Sequence, residues 1–363
     1  MEFKEFRIGD LFNIYPTKTY KNLQTSLNGK TPVVTNSELN NGISKYSDQE
    51  PTEKGGIITF SDTTTSKAIF YQKDDFIGYS HVQGLHSKEI NFSQNALLYI
   101  VACFRKAASG KFDYATKFTR QNAANLKIQL PVTPSGEIDF DYMEQYIEKI
   151  EKQYIEKIAL MLKASGLDNY QLTEEEKAVL KEEKEKKEFK IEELWTVDDW
   201  VYGKDKKWKT QFDRPTAGSL PVISGQTTNN GVKYYTSDNY STDEVFEDCL
   251  TMTTRGESGR VFYHPGKFLL ANNVLVMKMP KYSKNVMLYL GTVIEKVCRS
   301  TNYSVYPTKD SLKTKTIFLP VTPTEEIDFD YMEKYISAIT KTKIKNVVLE
   351  INKKLELYKQ TQN

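Results

Sequence analysis

Apolar residues along this chain follow two rhythms, and each rhythm occurs twice. In the first, short apolar runs separated by turn-forming residues predict strands at 56–60, 68–71, 96–101 and 127–130, then at 249–253, 261–263 and 273–277. Asn41-Gly42, Asn230-Gly231 and Pro265-Gly266 supply turn signals between them. In the second rhythm apolar residues recur at three and four, which predicts helices. Met143, Tyr146, Ile147, Ile150, Tyr154, Ile158 and Met161 form one stripe; Met332, Tyr335, Ile336, Ile339, Ile344, Val348, Ile351, Leu355 and Tyr358 form the other. From Ile344 onward the spacing alternates four and three, as in a coiled-coil seam. A helix over residues 330–358 would be about 43 Å long. A stripe of that length needs a partner, and the first stripe is the obvious one.

The two rhythms recur because the sequence repeats. Residues 130–147 read LPVTPSGEIDFDYMEQYI and residues 319–336 read LPVTPTEEIDFDYMEKYI; only Ser135/Thr324, Gly136/Glu325 and Gln145/Lys334 differ. Residues 4–12 echo 187–195, Pro32-Val33-Val34 echoes Pro221-Val222-Ile223, and Tyr114 and Thr119 echo Tyr303 and Thr308. The chain is one unit duplicated: a variable part, then a nearly invariant tail. That divides it into 1–136, a helical 137–188, 189–324 and a helical 325–363. Two copies are too few for a solenoid. Thr-Pro followed by acids opens each tail as a helix start. The first tail is expected to break at 164–169, and Thr173 with Glu174, Glu175 and Glu176 to cap a further helix running through the charged segment 181–187. The predicted fold class is α+β: two pseudo-symmetric domains with twisted, mostly antiparallel sheets and short helices, separated by long helices forming an antiparallel coiled coil.

Composition changes this picture only when it is split. The chain has 363 residues, 27% charged, with a formal net charge of +2. Residues 1–136 carry 16 basic and 12 acidic side chains, 137–188 carry 9 and 15, 189–324 carry 18 and 14, and 325–363 carry 7 and 7. Both variable halves are therefore basic at +4, and the first tail, at −6, hides it. Mildly basic domains rich in hydroxyl, amide and aromatic groups suit phosphate contacts plus base readout. No apolar run is long enough for a membrane span, and the charged start Met1-Glu2-Phe3-Lys4 is unlike a signal peptide. Cys103, Cys249 and Cys298 are too few and too scattered for a disulfide framework, and His81, His86 and His264 lack zinc spacing. The expectation is a reduced, cytoplasmic protein.

No catalytic motif emerges. Gly29-Lys30-Thr31 fails as a P-loop because Gln24 stands where the motif needs glycine. No glycine cluster for a cofactor and no nucleophile elbow is present. Glu183-Lys184 and Glu185–Lys187 belong to a charge run, whose ordinary reading is a solvated helix face.

The order of variable domain, near-identical helical segment, second variable domain and second helical segment resembles the specificity (S) subunit of type I restriction–modification systems and the related type IIB subunits. The resemblance spans essentially the whole chain. It is carried by the two LPVTP-(S/T)-x-E-I-D-F-D-Y-M-E copies, by the openings 6–12 and 189–195, and by 253–261, which resembles the family's strand–Arg-Gly-x-x-Gly loop. Residues 60–68 lack both glycines, so the first copy departs from that loop. The resemblance implies two target-recognition domains, each reading one half of a bipartite double-stranded DNA target. It implies helices that pair and fix the unread gap, and docking of methyltransferase (M) subunits, two per chain, with or without restriction (R) subunits. The chain itself is then no enzyme; S-adenosylmethionine, ATP and magnesium belong to partner subunits.

Polar and basic loop residues are the candidate DNA contacts. In the first half these are Ser61, Thr63, Thr64, Thr65, Lys67, Ser80, His81, Gln83, Lys117, Arg120 and Gln121. In the second they are Ser224, Gln226, Thr254, Arg255, Ser258, Arg260 and Asn272, with Lys204, Lys206, Lys207 and Lys209 as phosphate binders. Arg255 is the strongest, since arginine beside small residues can fork onto guanine O6 and N7. Ile147, Ile150, Tyr154, Ile158, Ile336, Ile339, Ile344, Val348, Ile351 and Leu355 are the candidate helix-pairing residues. Two rival functions share these features: a two-fold scaffold or adaptor that binds no DNA, and a self-sufficient nuclease.

Overall fold

The computed structural model describes residues 1–62, 66–112, 116–300 and 306–360. The chain divides into two compact units, Met1–Ile158 with Lys354–Asn363, and Ala159–Lys353. In chain order, unit 1 contains β1 (Glu2–Arg7), α1 (Ile8–Leu11), β2 (Phe12–Pro16), β3 (Thr31–Val34), β4 (Ile43–Ser47), β5 (Ile57–Ser61), β6 (Ile69–Gln72), β7 (Val82–Ser87), α2 (Gln94–Ala108), α3 (Arg120–Asn125), β8 (Lys127–Val132) and most of α4 (Phe140–Ala164). Unit 2 follows with α5 (Glu174–Val179), β9 (Lys186–Lys190), α6 (Ile191–Leu194), β10 (Val201–Tyr202), β11 (Leu220–Ile223), β12 (Val232–Thr236), β13 (Phe246–Thr253), β14 (Val261–Leu270), β15 (Val274–Met277), α7 (Lys284–Cys298), α8 (Lys309–Lys313), β16 (Thr316–Pro320) and most of α9 (Phe329–Gln360).

The units repeat each other element by element. Unit 1 has an antiparallel sheet in the order β2-β7-β5-β6, beside the pairs β1-β8 and β3-β4. Unit 2 has the order β10-β15-β13-β14-β11-β12, beside β16-β9. Its one departure from antiparallel pairing, β11 against β14, recurs in unit 1 as the Val33–Ile77 bridge. Asn40, Asn41 and Gly42 take left-handed backbone angles, and so do Asn229, Asn230 and Gly231. Asparagine and glycine are the residues that tolerate this conformation. Each sheet is covered by a helix with its apolar face inward: Leu97, Ile100 and Phe104 of α2 lie in the core with Ile58 and Phe60, and Met287, Leu290 and Ile294 of α7 with Leu250 and Met252.

The near-identical tails are explained by packing. Asp139 and Asp328 cap α4 and α9, accepting from the Tyr142 and Tyr331 N–H at 2.9 and 2.8 Å. Phe140 packs on Phe92 and Phe329 on Tyr282, with ring centroids 5.7 and 5.1 Å apart. Met143 and Met332 are core residues. Glu144 accepts from Ser93, the N-cap of α2, and Glu333 from Ser283, the N-cap of α7. Tyr99 faces Tyr146 at 5.4 Å and Tyr289 faces Tyr335 at 6.0 Å; burial pushes both Tyr99 and Tyr289 up to about 12. Five identical positions of the shared motif thus lock each tail helix onto its own domain. One of the three differing positions is a backbone exception: Gly136 has φ 85°, and Glu325 holds φ 67° in its place. The Glu325 carboxylate pairs with Lys187 at 2.5 Å.

Several expectations are corrected. Residues 96–101 form no strand; they lie in α2, whose N-cap Ser93 accepts from the Ala96 N–H and whose buried residues recur at helical spacing. Pro265-Gly266 is no turn between strands but lies inside β14, opposite the irregular pairing at Glu247/Cys249. Thr173 and Glu176 do form a capping box, yet α5 ends at Val179, and residues 186–190 of the charge run become β9 because β16 pairs with them. The stripe of α4 also turns further than expected. Tyr154 is 63% and Ile158 37% exposed, while the neighbouring Ile155 is buried. In α9, Val348 and Ile351 are buried, and Ile336, Ile339, Ile344 and Leu355 are half-buried, as are Ile147 and Ile150 of α4. Within unit 1, Lys354 of α9 pairs with Glu151 of α4. Within unit 2, Glu176 of α5 accepts from Ser337 at 2.6 Å and Lys341 at 2.8 Å.

Candidate nucleic-acid interface

Backbone contacts gather the candidate residues of unit 2 at one strand-end edge of the sheet, where β10, β11 and β13 finish and β15 begins. The Thr254 N–H donates to Asn273 O at 2.9 Å, Gly225 N–H to Asn272 O at 3.2 Å and Gly203 N–H to Val274 O at 2.8 Å. A Cβ on Gly225 or Gly203 would strike the backbone of Asn273 or Ala271, so only glycine permits this approach. Ser224, Thr254 and Asn272 therefore converge. Ser224 and Thr254 are buried, and Gln226 is half-buried with its amide donating to Val232 O, so these three help to build the edge.

Beyond Thr253 the chain folds into a closed loop. The Gly259 N–H donates to Thr253 O at 2.8 Å, and Thr253 Oγ1 to Glu257 O at 2.7 Å. Gly259, at φ 79°, lies against the Cys298 carbonyl, where a side chain has no room. Arg260, a candidate contact, is committed to Glu295 at 3.0 Å, and Ser258 is buried and bridged to Ser300. Arg255 is exposed, with its guanidinium 5.9 Å from the ring centroid of exposed Tyr306. The loop is thus anchored at its base and presents Arg255 outward.

The four lysines divide. Lys206 sits 3.9 Å over the Trp208 ring and pairs with Glu244, whose carboxyl is held at about 2 by Lys206 and by the Ser241 N–H. Asp238 accepts from the Lys209 and Thr210 backbone N–H groups, pinning the segment. The exposed side chains of Lys204, Lys207 and Lys209 make no ion pair among the described residues.

Unit 1 builds the same edge with different side chains. The Asp62 N–H donates to His81 O at 3.0 Å, the counterpart of Thr254 and Asn273. Asp62, which sequence reasoning missed, accepts from Gln83 Nε2 at 2.7 Å and lies 3.1 Å from His81 Nδ1. Gln83 and Ser61 are buried; Ser80 and His81 are exposed. Exposed Lys67 pairs with Glu38 at 3.8 Å. Lys117 is exposed beside Phe118, whose ring packs 4.8 Å from Phe60 at the end of β5. Arg120 and Gln121 open α3, exposed, behind the Thr119 cap. Where unit 2 sets Gly259 against the Cys298 carbonyl, unit 1 has Ser66 donating to the Ala108 carbonyl at 2.9 Å. The candidates Thr63, Thr64 and Thr65 lie outside the described residues.

Among the described residues no group of three or more His, Cys, Asp or Glu side chains is placed to hold a metal. Burial pushes the Cys249 and Cys298 thiols up to about 12 and about 11, keeping them protonated at neutral pH. No helix of the described residues is long and apolar enough to cross a membrane.

The architecture is a duplicated α+β domain, each copy with a polar edge and a helical tail that opens on nearly the same motif. The family model described as "Type I restriction modification DNA specificity domain" matches residues 1–160 and 183–350, and the chain belongs to this family. The chain is similar to the Type II restriction enzyme BgcI specificity subunit S.BcgI of Heyndrickxia coagulans, 27% identical over 347 residues, covering 93% of this chain and 94% of that one. Its fold matches the type I restriction–modification S subunit from M. genitalium with a TM-score of 0.53 at 11% identity, covering 99% of this chain and 94% of that one. A third similar protein is the HsdS subunit from Thermoanaerobacter tengcongensis, with a TM-score of 0.30, 13% identity, and 97% and 91% covered. The chain is a specificity subunit, and its function is DNA target recognition.

Proposed function

We propose that each unit reads one half of a bipartite DNA target in the major groove, and that α4 and α9 set the unread gap between the half-sites. The observation that carries this reading is the contrast between tails and edges. The openings of the tails, 130–147 and 319–336, differ at only three positions, whereas the equivalent edges hold Asp62 and His81 in one unit and Thr254, Arg255 and Asn273 in the other. A shared scaffold with divergent readers suits two different half-sites. One domain reading a few base pairs discriminates by only about 1–3 kcal/mol per mismatch, and two linked readers sum their discrimination. A helix of 32 residues, about 48 Å long, exceeds the 34–36 Å of one DNA turn.

The chain supplies specificity and its partners supply chemistry. Methyltransferase subunits dock on the helical tails, two per chain, and bring S-adenosylmethionine; ATP and magnesium belong to a restriction subunit where one joins. The apolar residues Ile158 and Leu160 of α4 and their repeat counterparts Val347 and Leu349 of α9 are all exposed, which supports two equivalent docking surfaces. The assembly works in the cytoplasm, in a type I or type IIB context. Selection from a random duplex pool by the chain reconstituted with its methyltransferase subunit tests this reading. Two fixed sequence blocks separated by an unspecified gap are expected. Assembly without any sequence selection would favour a DNA-free adaptor, and metal-dependent cleavage by the chain alone would favour a nuclease.

A further inference from the structure

We propose that His81 is the base reader of unit 1, its imidazole held so that Nε2 accepts a hydrogen bond from an exocyclic amino group, adenine N6 or cytosine N4, in the major groove. This rests on the DNA-reading role proposed above and adds the chemistry of one reader.

Three observations converge on this side chain. First, His81 holds φ 67°, an unfavourable conformation for a residue with a Cβ, on an exposed corner before β7. Strain of that kind persists where the surroundings enforce it, and it clusters at functional positions. Its counterpart Asn273 holds φ 62° and makes the same backbone bond, so the strained corner belongs to the scaffold of both units. Second, the side chains around the corner are not shared. Asp62 lies 3.1 Å from His81 Nδ1 and also takes Gln83 Nε2 at 2.7 Å, whereas unit 2 has Thr254 and Leu275 at these places. Third, the imidazole is 65% exposed while its support is not: Asp62 is 23% exposed and Gln83 is buried.

The chemistry follows from the partner. A carboxylate only accepts, so the Nδ1 facing Asp62 carries the proton, and that tautomer keeps its lone pair on Nε2. An acceptor in the major groove meets the amino groups of adenine and cytosine and is repelled by thymine O4 and guanine O6. Gln83, clamped by the same carboxylate, stops Asp62 from turning away. Unit 2 presents the opposite polarity through Arg255, which donates only. The two half-sites are therefore read by complementary chemistries from one backbone frame.

The test uses the full chain assembled with its methyltransferase subunit, at pH 8. Affinity is measured for the selected target and for duplexes in which single adenines become purine, or single cytosines become 2-pyrimidinone, each lacking the amino group. At one position of one half-site, amino removal is expected to weaken binding by the parent about ten-fold. His81→Gly, which relieves the strained backbone and is expected to melt no lower than the parent, should make that substitution neutral, and Asp62→Asn should blunt it. A His81→Gly complex as sensitive as the parent at every amino group overturns the inference while leaving half-site reading intact. Coupling of His81 to 7-deazaguanine instead would overturn the acceptor assignment. A parent complex with no sequence preference would overturn the functional reading itself.

Discussion

His264 is bonded to Thr251 at 2.8 Å inside unit 2, and unit 1 makes the same cross-strand bond between Gln72 and Thr59 at 2.9 Å. Asn230 and Asn41 reach across to the same two strands, donating to Tyr263 O and Tyr71 O at 3.1 and 2.9 Å. Burial lowers His264 from its ordinary 6.5 to about 4, so the ring is neutral in the folded protein. The unfolded chain binds a proton near pH 6.5 that the folded one refuses until about pH 4. Stability from this site is complete above pH 6.5 and is lost as pH falls toward 4, by at most about 3 kcal/mol. His264→Gln, which installs the residue of unit 1, is expected to reduce the loss of stability between pH 7 and 5 measured by urea unfolding. His264→Leu, which strands Thr251, is expected to cost about 1–3 kcal/mol at pH 7.

Glu176 fastens α5 to α9. Burial works against its charge, but bonds from Lys341, Ser337 and the Thr173 N–H outweigh it and hold the carboxyl at about 2. The stabilisation is present above pH 4.5 and is lost as pH falls toward 2. Glu176→Ala is expected to destabilise unit 2 by about 2 kcal/mol, since charge-assisted bonds disappear and Lys341 is left without its partner. Faster proteolysis within 165–185 would accompany it.

Two glycines in the Arg255 loop respond differently to a methyl group. Both have φ above 70°, but Gly259 meets the Cys298 carbonyl whereas Gly256 faces open space. Gly256→Ala is expected to cost about 1 kcal/mol of backbone strain. Gly259→Ala should cost more and move the loop, lowering the melting temperature and DNA affinity together.

If Lys204, Lys207 and Lys209 meet phosphates, replacing them with alanine weakens binding to all sequences alike. The slope of log affinity against log salt is then expected to flatten by about one for each phosphate that is no longer neutralised. Lys206→Ala should act on stability instead, because Lys206 already serves Trp208 and Glu244.

The duplication, the α+β class and most strands were legible in the sequence because identical tails and short β-rich runs carry local signals. The helix α2 was not, since a run such as Ala96–Val101 is apolar on every side and its period shows only over the full 94–108. Strand β9 is hidden because the eight charges in a row at 181–188 look solvated, and only its antiparallel partner β16 makes the end of that segment a strand. In α4, Tyr154 and Ile155 fit a stripe equally well by spacing, and packing chose Ile155. At the edges, the basic and hydroxyl residues stood out, but Asp62, Tyr306 and Asn273 did not. The roles of Asp62 and Asn273 come from backbone pairing between segments distant in the chain, and that of Tyr306 from its ring beside Arg255. Polarity alone singles out Arg260, Ser258 and Gln226 in the sequence, and the fold uses that polarity internally.

The central claim is that this chain, through its two units, decides which DNA sequence its complex acts on. The most direct measurement is sequencing of methylated bases in a host carrying the methyltransferase subunit with either the parent chain or Arg255→Ala. The account predicts a two-part motif for the parent. With Arg255→Ala it predicts an intact complex in which one half of the motif loses its preference and the other half is unchanged. An identical motif for both chains, or loss of specificity spread evenly over both halves, would contradict it.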